Sequence, residues 1–411
     1  MNFIIDYFII DKVNINKVNF ARSEKGTLFT VLVTVTLDAA GLGLVMPILP
    51  TLLEQAGAAF QVIPLYVGLL TGLYALMQFF FAPILGRASD RFGRRPVLIV
   101  SLVGATLDYM ILATTSNLAV FFVARAISGI TGATNAVSAT VIADITENSE
   151  RAQRYGWLAA CYGAGMIGGP VIGGLFGAVS PRLPFLIASV LCGINLALSI
   201  FVLSETLEPS KESHAVPVHS RVRALGAVPG MTGILVVFGL VQFVGQAPGS
   251  AWVLFTEQRF DWDPLTVGIS LSIFGLIQVA VQATLTGRIV ASFGEVKAIL
   301  TGIVADSVGL VGLAFAVQSW QILPIMIALG LGSMTVPAIQ TLVSQRVPQK
   351  EQGHLQGILA SLNSFTSIIG PISFTGIFAL TRGGADGTLW LCAAALYLPC
   401  AILVVREATR D

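Results

Sequence analysis

Four ionisable side chains lie inside long apolar runs of this sequence, where a charge is costly: Asp38, Asp108, Arg125 and Asp306. Such a residue at the centre of a membrane helix costs about 2.5 to 3.5 kcal/mol on insertion, so each is a candidate for ion or substrate handling. The chemistry open to these groups is proton binding, attraction of a cationic solute and mutual pairing. For Asp38 and Asp306 the structural alternative is a buried carboxylate satisfied by local hydrogen bonds.

Asp108 and Arg125 lie on either side of one short loop, at similar distances from its middle. At 1.5 Å per helical residue, both side chains fall about 12 Å deep in a membrane. The sequence therefore predicts that they meet as an ion pair. A purely structural pair and a role in coupling are both open, and exchanging the two residues would separate them.

Hydroxyl and amide side chains accompany the charges. Thr30, Thr34 and Asp38 recur at i, i+4 and i+8, so they share one helical face, which we expect to line a cavity. Amides recur at i, i+4 in two further runs, where hydrogen bonding between helices is the alternative to ligand binding. The candidates for a substrate cavity are Thr34, Gln78, Gln242, Gln246, Gln278 and Gln282.

Residues 86–96 form a loop with two glycines, an acid and four arginines. Anchoring of positive charge on the cytosolic side explains the arginines but not the acid or the glycine spacing. Asp90 is expected to bond the N-terminus of a facing helix, where the helix dipole favours negative charge, and so to latch one conformation. The candidate gating residues of this loop are Gly86, Asp90, Arg91, Gly93 and Arg94.

A glycine-rich stretch carries Gly165, Gly169, Pro170, Gly173 and Gly174. Small residues at this spacing let two helix backbones approach closely, and Pro170 permits a bend. Tight packing with hinge freedom suits two bodies that rock against each other. A purely structural kink is the alternative interpretation.

The elements that position these groups follow from composition. Of 411 residues, 55% are hydrophobic and 11% charged, whereas soluble domains carry about 25% charged residues. A bilayer core needs about 20 apolar residues per helix. Twelve runs of that length predict spans 1 to 12 at 27–49, 64–85, 96–114, 118–141, 154–178, 183–203, 230–253, 264–290, 296–317, 319–343, 354–379 and 387–405.

The Lys and Arg residues predict the orientation, because cytosolic loops carry the excess. Nineteen of the 23 fall on the side of the N-terminus, whereas Arg182, Arg259 and Arg382 lie opposite and Arg125 is inside a span. Twelve spans with both termini in the cytoplasm fit this alternation. The sequence therefore predicts a multi-pass protein of the bacterial inner membrane.

Two landmarks indicate an internal repeat. The pair Gly86-Arg87 recurs 201 residues later as Gly287-Arg288, and Gly169-Pro170 recurs at the same offset as Gly370-Pro371. The fold class is therefore an all-α membrane protein of two six-helix pseudo-repeats, an architecture of transporters with a site between the repeats. The predicted parts are a cytosolic N-terminal arm (1–26), the first bundle (27–204), a cytosolic linker (205–229), the second bundle (230–405) and a cytosolic tail (406–411).

Other function classes find little support. The net charge of +1 argues against nucleic acid binding, and the four cysteines show no metal-ligand spacing. The histidines, His214, His219 and His354, lie in or beside predicted cytosolic loops, and no nucleophile and base occur together. We expect neither an enzyme nor a protein-bound metal or cofactor.

The motifs together resemble the major facilitator superfamily, and within it the tetracycline/proton antiporters. The loop 86–96 resembles the superfamily's signature loop, the stretch around Gly169-Pro170 its antiporter motif, and Arg125 with Gly129 its span 4 motif. The narrower resemblance covers nearly everything after residue 27. It rests on Leu37 to Pro47, Tyr74 to Gln78, Ser128 to Thr134, Trp252 to Glu257 and Ala305-Asp306.

This resemblance implies a twelve-helix major facilitator fold that exports tetracycline chelated to Mg²⁺ or a similar divalent cation, in exchange for a proton. The partners implied are a small-molecule drug, the proton gradient and the lipid bilayer. Asp38, Asp108 and Asp306 match the family's intramembrane acids, and Asp144 is expected to pair with Arg94 of the gating loop.

By analogy, alternating access is expected around a cavity lined by spans 1, 4, 7, 8 and 9. One residue departs from the pattern, because many members carry a histidine in span 8 where this sequence has Gln278. Glutamine does not titrate, so coupling would rest on the acids. An exporter of other drugs or metabolites is the alternative.

Overall fold

The computed structural model describes residues 24–147, 150–206, 231–348, 351–383 and 385–408. Within those ranges the regular elements are helical, and twelve are long and apolar enough to cross a membrane, as predicted. The N-terminal arm before Glu24 and the linker from 207 to 230 lie outside the described residues. Spans 1 to 12 are Gly26–Val45, Ile63–Phe92, Arg94–Thr114, Leu118–Ile145, Gln153–Gly177, Leu183–Val202, Met231–Phe260, Pro264–Phe293, Glu295–Phe315, Ser319–Gln345, Gln352–Thr381 and Thr388–Arg406.

Spans 2 and 7 extend beyond their predicted ends at residues 85 and 253, to Phe92 and Phe260. Hydropathy marks only the part of a helix that suits lipid, whereas the backbone hydrogen-bond ladder continues into more polar sequence. Between spans 1 and 2 lies a short helix, Leu49–Gln55. We call the side where spans 1 and 7 begin the linker face, and the side of this short helix the opposite face.

Four spans are interrupted. Span 4 consists of the helices Leu118–Thr131 and Thr134–Ile145, and span 8 of Pro264–Val281, a π-helical turn Gln282–Thr286 and Gly287–Phe293. Span 10 joins the 3-10 turn Ser319–Gln321 to the helices Ile322–Gly332 and Thr335–Gln345. Span 12 divides into Thr388–Ala395 and Tyr397–Ala408.

The two halves meet mainly through two pairs of spans. Span 5 packs against span 8 and span 2 against span 11, while within the first half span 1 packs along span 5. Large apolar side chains such as Val308 and Leu380 point outward and are exposed. Lipid is as apolar as these side chains, so exposure on the outer surface of a membrane bundle carries no cost of the kind water imposes.

Candidate functional site

A cavity of about 550 Å³ lies between the two halves. The first half contributes Met46, Met166 and Pro170 to its wall, and the remaining wall comes from spans 7, 8, 9, 10 and 12. The expectation that span 4 lines the cavity is therefore wrong, and spans 5, 10 and 12 were missed. Span 4 packs within the first half, against spans 1, 2, 3 and 5.

Asp306 of span 9 is the one charged side chain on the wall of this cavity, among the described residues. Its Oδ2 accepts a hydrogen bond of 2.7 Å from the hydroxyl of Tyr397, which belongs to span 12. Gly332 of span 10 lies directly behind the carboxylate, because a Cβ there would collide with Oδ1. The carboxylate thus lies between the Tyr397 hydroxyl and the backbone of Gly332.

Three of the predicted amides, Gln242, Gln278 and Gln282, line the cavity with Asp306. Gln246 does not, although it lies one turn after Gln242. It packs on Gly370 of span 11 and its Nε2 donates to the Ser367 hydroxyl at 3.4 Å. The cavity wall therefore carries neutral donors and acceptors from spans 7 and 8 together with the acid of span 9.

Sequence reasoning gave no role of its own to two wall residues, Trp252 and Tyr397. The Trp252 indole donates to the Ser270 hydroxyl at 2.9 Å and stacks on Phe274 with an interplanar angle of 7°. An aromatic side chain within an apolar run looks like any core residue, so the sequence offered no signal beyond its place in a family motif. The wall thus combines a flat aromatic surface with polar groups, as ligand pockets commonly do.

Asp38 lies in the first half, and the wall of this cavity does not include it. Its carboxylate is half-buried and within hydrogen-bonding reach of the Thr134 hydroxyl. The expectation that the face of Thr30 and Thr34 lines a cavity is wrong, because both are fully buried. Thr34 instead exchanges hydrogen bonds with Asn195 of span 6, at 3.1 and 3.2 Å.

Asp108 and Arg125 form the ion pair that the sequence predicts, with two guanidinium nitrogens on the two carboxylate oxygens. Asp108 is 0% exposed and Arg125 6%, so the pair is shielded from solvent. The ring of Tyr74 lies 6.0 Å from the guanidinium carbon, and Gln78 of the same span donates to the Gly132 carbonyl at 3.0 Å. These groups form a polar cluster inside the first half.

The gating loop at the linker face is held by Arg94. Its Nε lies 3.0 Å from Asp144, the predicted partner, and its Nη1 lies 2.5 Å from Asp90. In this structure Asp90 therefore pairs within its own loop instead of with a facing helix. Glu205, which sequence reasoning missed, accepts from the backbone N–H groups of Arg94 and Arg95 at 2.8 and 3.2 Å.

Comparison with known proteins identifies the family to which this architecture belongs. The family model of the Major Facilitator Superfamily matches residues 31–248 and 234–410. The chain is 46% identical to the tetracycline resistance protein of class C from Escherichia coli over 94% of this chain and 98% of that one. It is 43% identical to the class B protein from the same organism, over 91% and 93%.

The chain belongs to the tetracycline-resistance family of the Major Facilitator Superfamily. Solved structures agree on the fold. A nucleoside transporter superposes with a TM-score of 0.78 at 15% identity, covering 93% of this chain and 99% of that one. A human organic anion transporter gives 0.68 at 21% identity, covering 93% and 99%. The superfamily is one of transporters and not of enzymes.

In this family member the glycines of span 5 permit close helix packing. A Cβ at Gly165 or Gly169 would collide with the backbone of span 1, at the carbonyls of Thr36 and Ala40. Gly173 similarly faces the backbone of Leu44 in span 1. Three of the predicted glycines thus serve the contact between spans 1 and 5.

The remaining two residues of the motif act between the halves. Gly174 lies against the Pro264 carbonyl of span 8, and the Pro170 carbonyl lies where a Cβ on Gly268 would be. These contacts lie toward the opposite face. Each approach requires the absence of a side chain, so the motif joins span 5 to span 1 and to span 8.

Gly169→Ala and Gly168→Ala form a matched pair on one helix. A Cβ at Gly169 meets the Ala40 carbonyl, whereas a Cβ at Gly168 has open space within 4 Å. Forcing a methyl group into a packed site costs about 1 to 3 kcal/mol, so we expect Gly169→Ala to lower the thermal midpoint of the detergent-purified protein. Gly168→Ala should leave the midpoint unchanged or raise it slightly. Equal effects of the two changes would contradict the packing argument.

On the opposite face the two halves are joined by Arg382, which follows span 11. Its guanidinium lies 3.4 Å from the ring centre of Phe60 and donates to the Phe60 carbonyl, while Nε donates to Gln258 at 2.6 Å. Burial lowers the pKa of Arg382 from its ordinary value. The halves of this Major Facilitator protein are therefore in contact on the opposite face.

Proposed function

We propose that this chain exports tetracycline, as a chelate with Mg²⁺ or a similar divalent cation, in exchange for a proton. The observation that carries the proposal is Asp306, the one charged side chain on the wall of the cavity in the described residues. A carboxylate takes either a proton or a cationic ligand. Competition between the two for one group is the simplest basis for exchange.

The rest of the cavity wall suits such a ligand. Trp252 and Phe274 offer flat apolar surface for a fused-ring drug, and Gln278 and Gln282 offer neutral hydrogen-bonding groups. The tetracycline resistance proteins that resemble this chain support the choice of drug. The divalent ion belongs to the substrate in this proposal, and no cofactor is needed beyond the proton gradient.

Gln278 matters for the coupling. It lies on the cavity wall with Asp306 but does not titrate. Proton exchange in this chain is therefore assigned to Asp306, with Asp38 as a second acid in the first half. Asp108 and Arg125 neutralise each other, so they are assigned to holding spans 3 and 4 in register and to transmitting motion between them.

Transport is proposed to follow alternating access across the bacterial inner membrane. We place the linker face in the cytoplasm because most Lys and Arg residues lie on that side. The contacts of Arg382 and Gly174 would then close the cavity from the periplasm. Their release would let the halves rock and expose the substrate outward.

Everted membrane vesicles provide the test, because export becomes uptake into the lumen. We expect tetracycline uptake that needs an acidic lumen, rises with added Mg²⁺ and stops when an ionophore collapses the gradient. Vesicles without the protein are the control. Absence of tetracycline uptake from vesicles that contain the protein would reject tetracycline as substrate and favour the exporter of other drugs. Gradient-driven uptake that is independent of Mg²⁺ would reject the chelate.

A further inference from the structure

Tyr397 is not among the charged groups that the mechanism uses, yet it makes the one hydrogen bond to Asp306 that the structure records. Its hydroxyl lies 2.7 Å from Oδ2, although the two residues are 91 positions apart in the chain. The Tyr397 side chain is 2% exposed and borders the cavity. Its phenol therefore has a defined position and a defined acceptor.

The break in span 12 accounts for this position. The first helix ends at Ala395 and the second begins at Tyr397, with Leu396 as the turn between them. Pro399 lacks a backbone N–H, and its ring clashes with the carbonyl four residues earlier, which belongs to Ala395. Proline thus ends the first helix and places Tyr397 at the start of the second.

The groups that act on the Asp306 carboxylate are few. From span 12 the neighbour is Tyr397, which donates to Oδ2, whereas the nearby Cys400 thiol donates to the Leu396 carbonyl at 3.2 Å. From span 10 the neighbour is Gly332, which has no side chain. The charge on Asp306 therefore has one hydrogen-bond donor in the described residues, and that donor is Tyr397.

We propose that Tyr397 is a positioning residue that fixes the Asp306 carboxylate toward the cavity and favours its charged form. This inference rests on the proposed function, in which Asp306 exchanges a proton for a cation. A hydrogen bond given to the charged form of an acid favours that form. With the phenol present, Asp306 releases its proton and accepts the cation at a lower pH than it would alone.

The test compares Tyr397→Phe with Tyr66→Phe, which removes a hydroxyl from a half-buried tyrosine of span 2. Loss of a hydrogen bond to a charged group changes an equilibrium constant by about tenfold or more. We expect Tyr397→Phe to raise the KM for the drug by about tenfold, at nearly unchanged maximal rate, and to move the pH profile of uptake upward by about one unit. Tyr66→Phe should change neither.

A second measurement does not depend on the drug. The infrared carboxyl band that Asp306→Asn removes reports protonation of Asp306 in the purified protein. We expect this band to persist to higher pH in Tyr397→Phe than in the unaltered protein. A band with the same pH dependence in both proteins would overturn the positioning role. Absence of tetracycline transport in the unaltered protein, with the band shifted, would overturn only the proposed function.

The double variant separates positioning of Asp306 from direct contact between Tyr397 and the drug. If Tyr397 acts through Asp306, adding Tyr397→Phe to Asp306→Asn should not lower further the drug binding that Asp306→Asn retains without Mg²⁺. An additional loss equal to that of the single Tyr397 change would mean that the phenol contacts the drug directly and would refute the inference.

Discussion

Replacing Asp306 by asparagine should reduce proton-driven tetracycline uptake into everted vesicles to background. Asparagine has nearly the same shape and still offers an oxygen to the Tyr397 hydroxyl, which now lies 2.7 Å from the carboxylate. It neither binds a proton nor attracts a cation. We expect unchanged amounts of folded protein in the membrane, loss of the response to an imposed pH gradient, and loss of Mg²⁺-dependent drug binding.

Asp261→Asn is the matched control for this change. Asp261 is an exposed acid between spans 7 and 8 with φ of 52°, a conformation that asparagine adopts readily. The same loss of one negative charge there should leave uptake intact. Asp38→Asn completes the series and tests the second acid, which lies in the first half and outside the cavity wall. If Asp306→Asn and Asp38→Asn both retain gradient-driven uptake, the assignment of proton coupling to these acids is refuted.

Asp108→Asn should destabilise the protein by about 3 to 5 kcal/mol, because it leaves a buried guanidinium without its counter-charge. Both partners are shielded from solvent, and the Arg125 Nε lies 3.1 Å from Asp108 Oδ1. Thermal unfolding in detergent and the yield of folded protein measure this effect. A variant that is as stable as the original protein would show that water or lipid head groups reach Arg125.

Removing both charges distinguishes structure from coupling. Asp108→Asn combined with Arg125→Gln leaves no uncompensated charge, so most of the lost stability should return. The exchange Asp108→Arg with Arg125→Asp keeps both charges in reversed order. If either double variant folds and transports normally, the pair is structural. If it folds without transport, the pair takes part in coupling.

The features that sequence analysis predicted correctly are local ones. Twelve spans follow from the length of apolar runs, because a bilayer requires that length whatever the neighbouring helices are. The ion pair of Asp108 and Arg125 follows from equal depth on two helices joined by a short loop. Neither inference requires knowledge of how distant helices pack.

The predictions that were wrong concern which neighbouring helix packs against a polar helix face. Thr30 and Thr34 share a face with Asp38, yet both threonines are buried and Thr34 bonds Asn195 of span 6. Gln242 reaches the cavity, whereas Gln246, one turn further on, is turned against Gly370. Helical periodicity identifies a shared face but does not say which helix lies against it.

By itself, the sequence determined that this protein spans a membrane twelve times, that its two halves repeat, and that a few ionisable groups lie at membrane depth. Only the tertiary structure decided that Asp306, and not Asp38, lies on the wall of the central cavity. The physical reason is that the position of a carboxylate depends on groups distant in the chain. Gly332 leaves room for the carboxylate and Tyr397 donates to it, and neither contact follows from the local pattern of span 9.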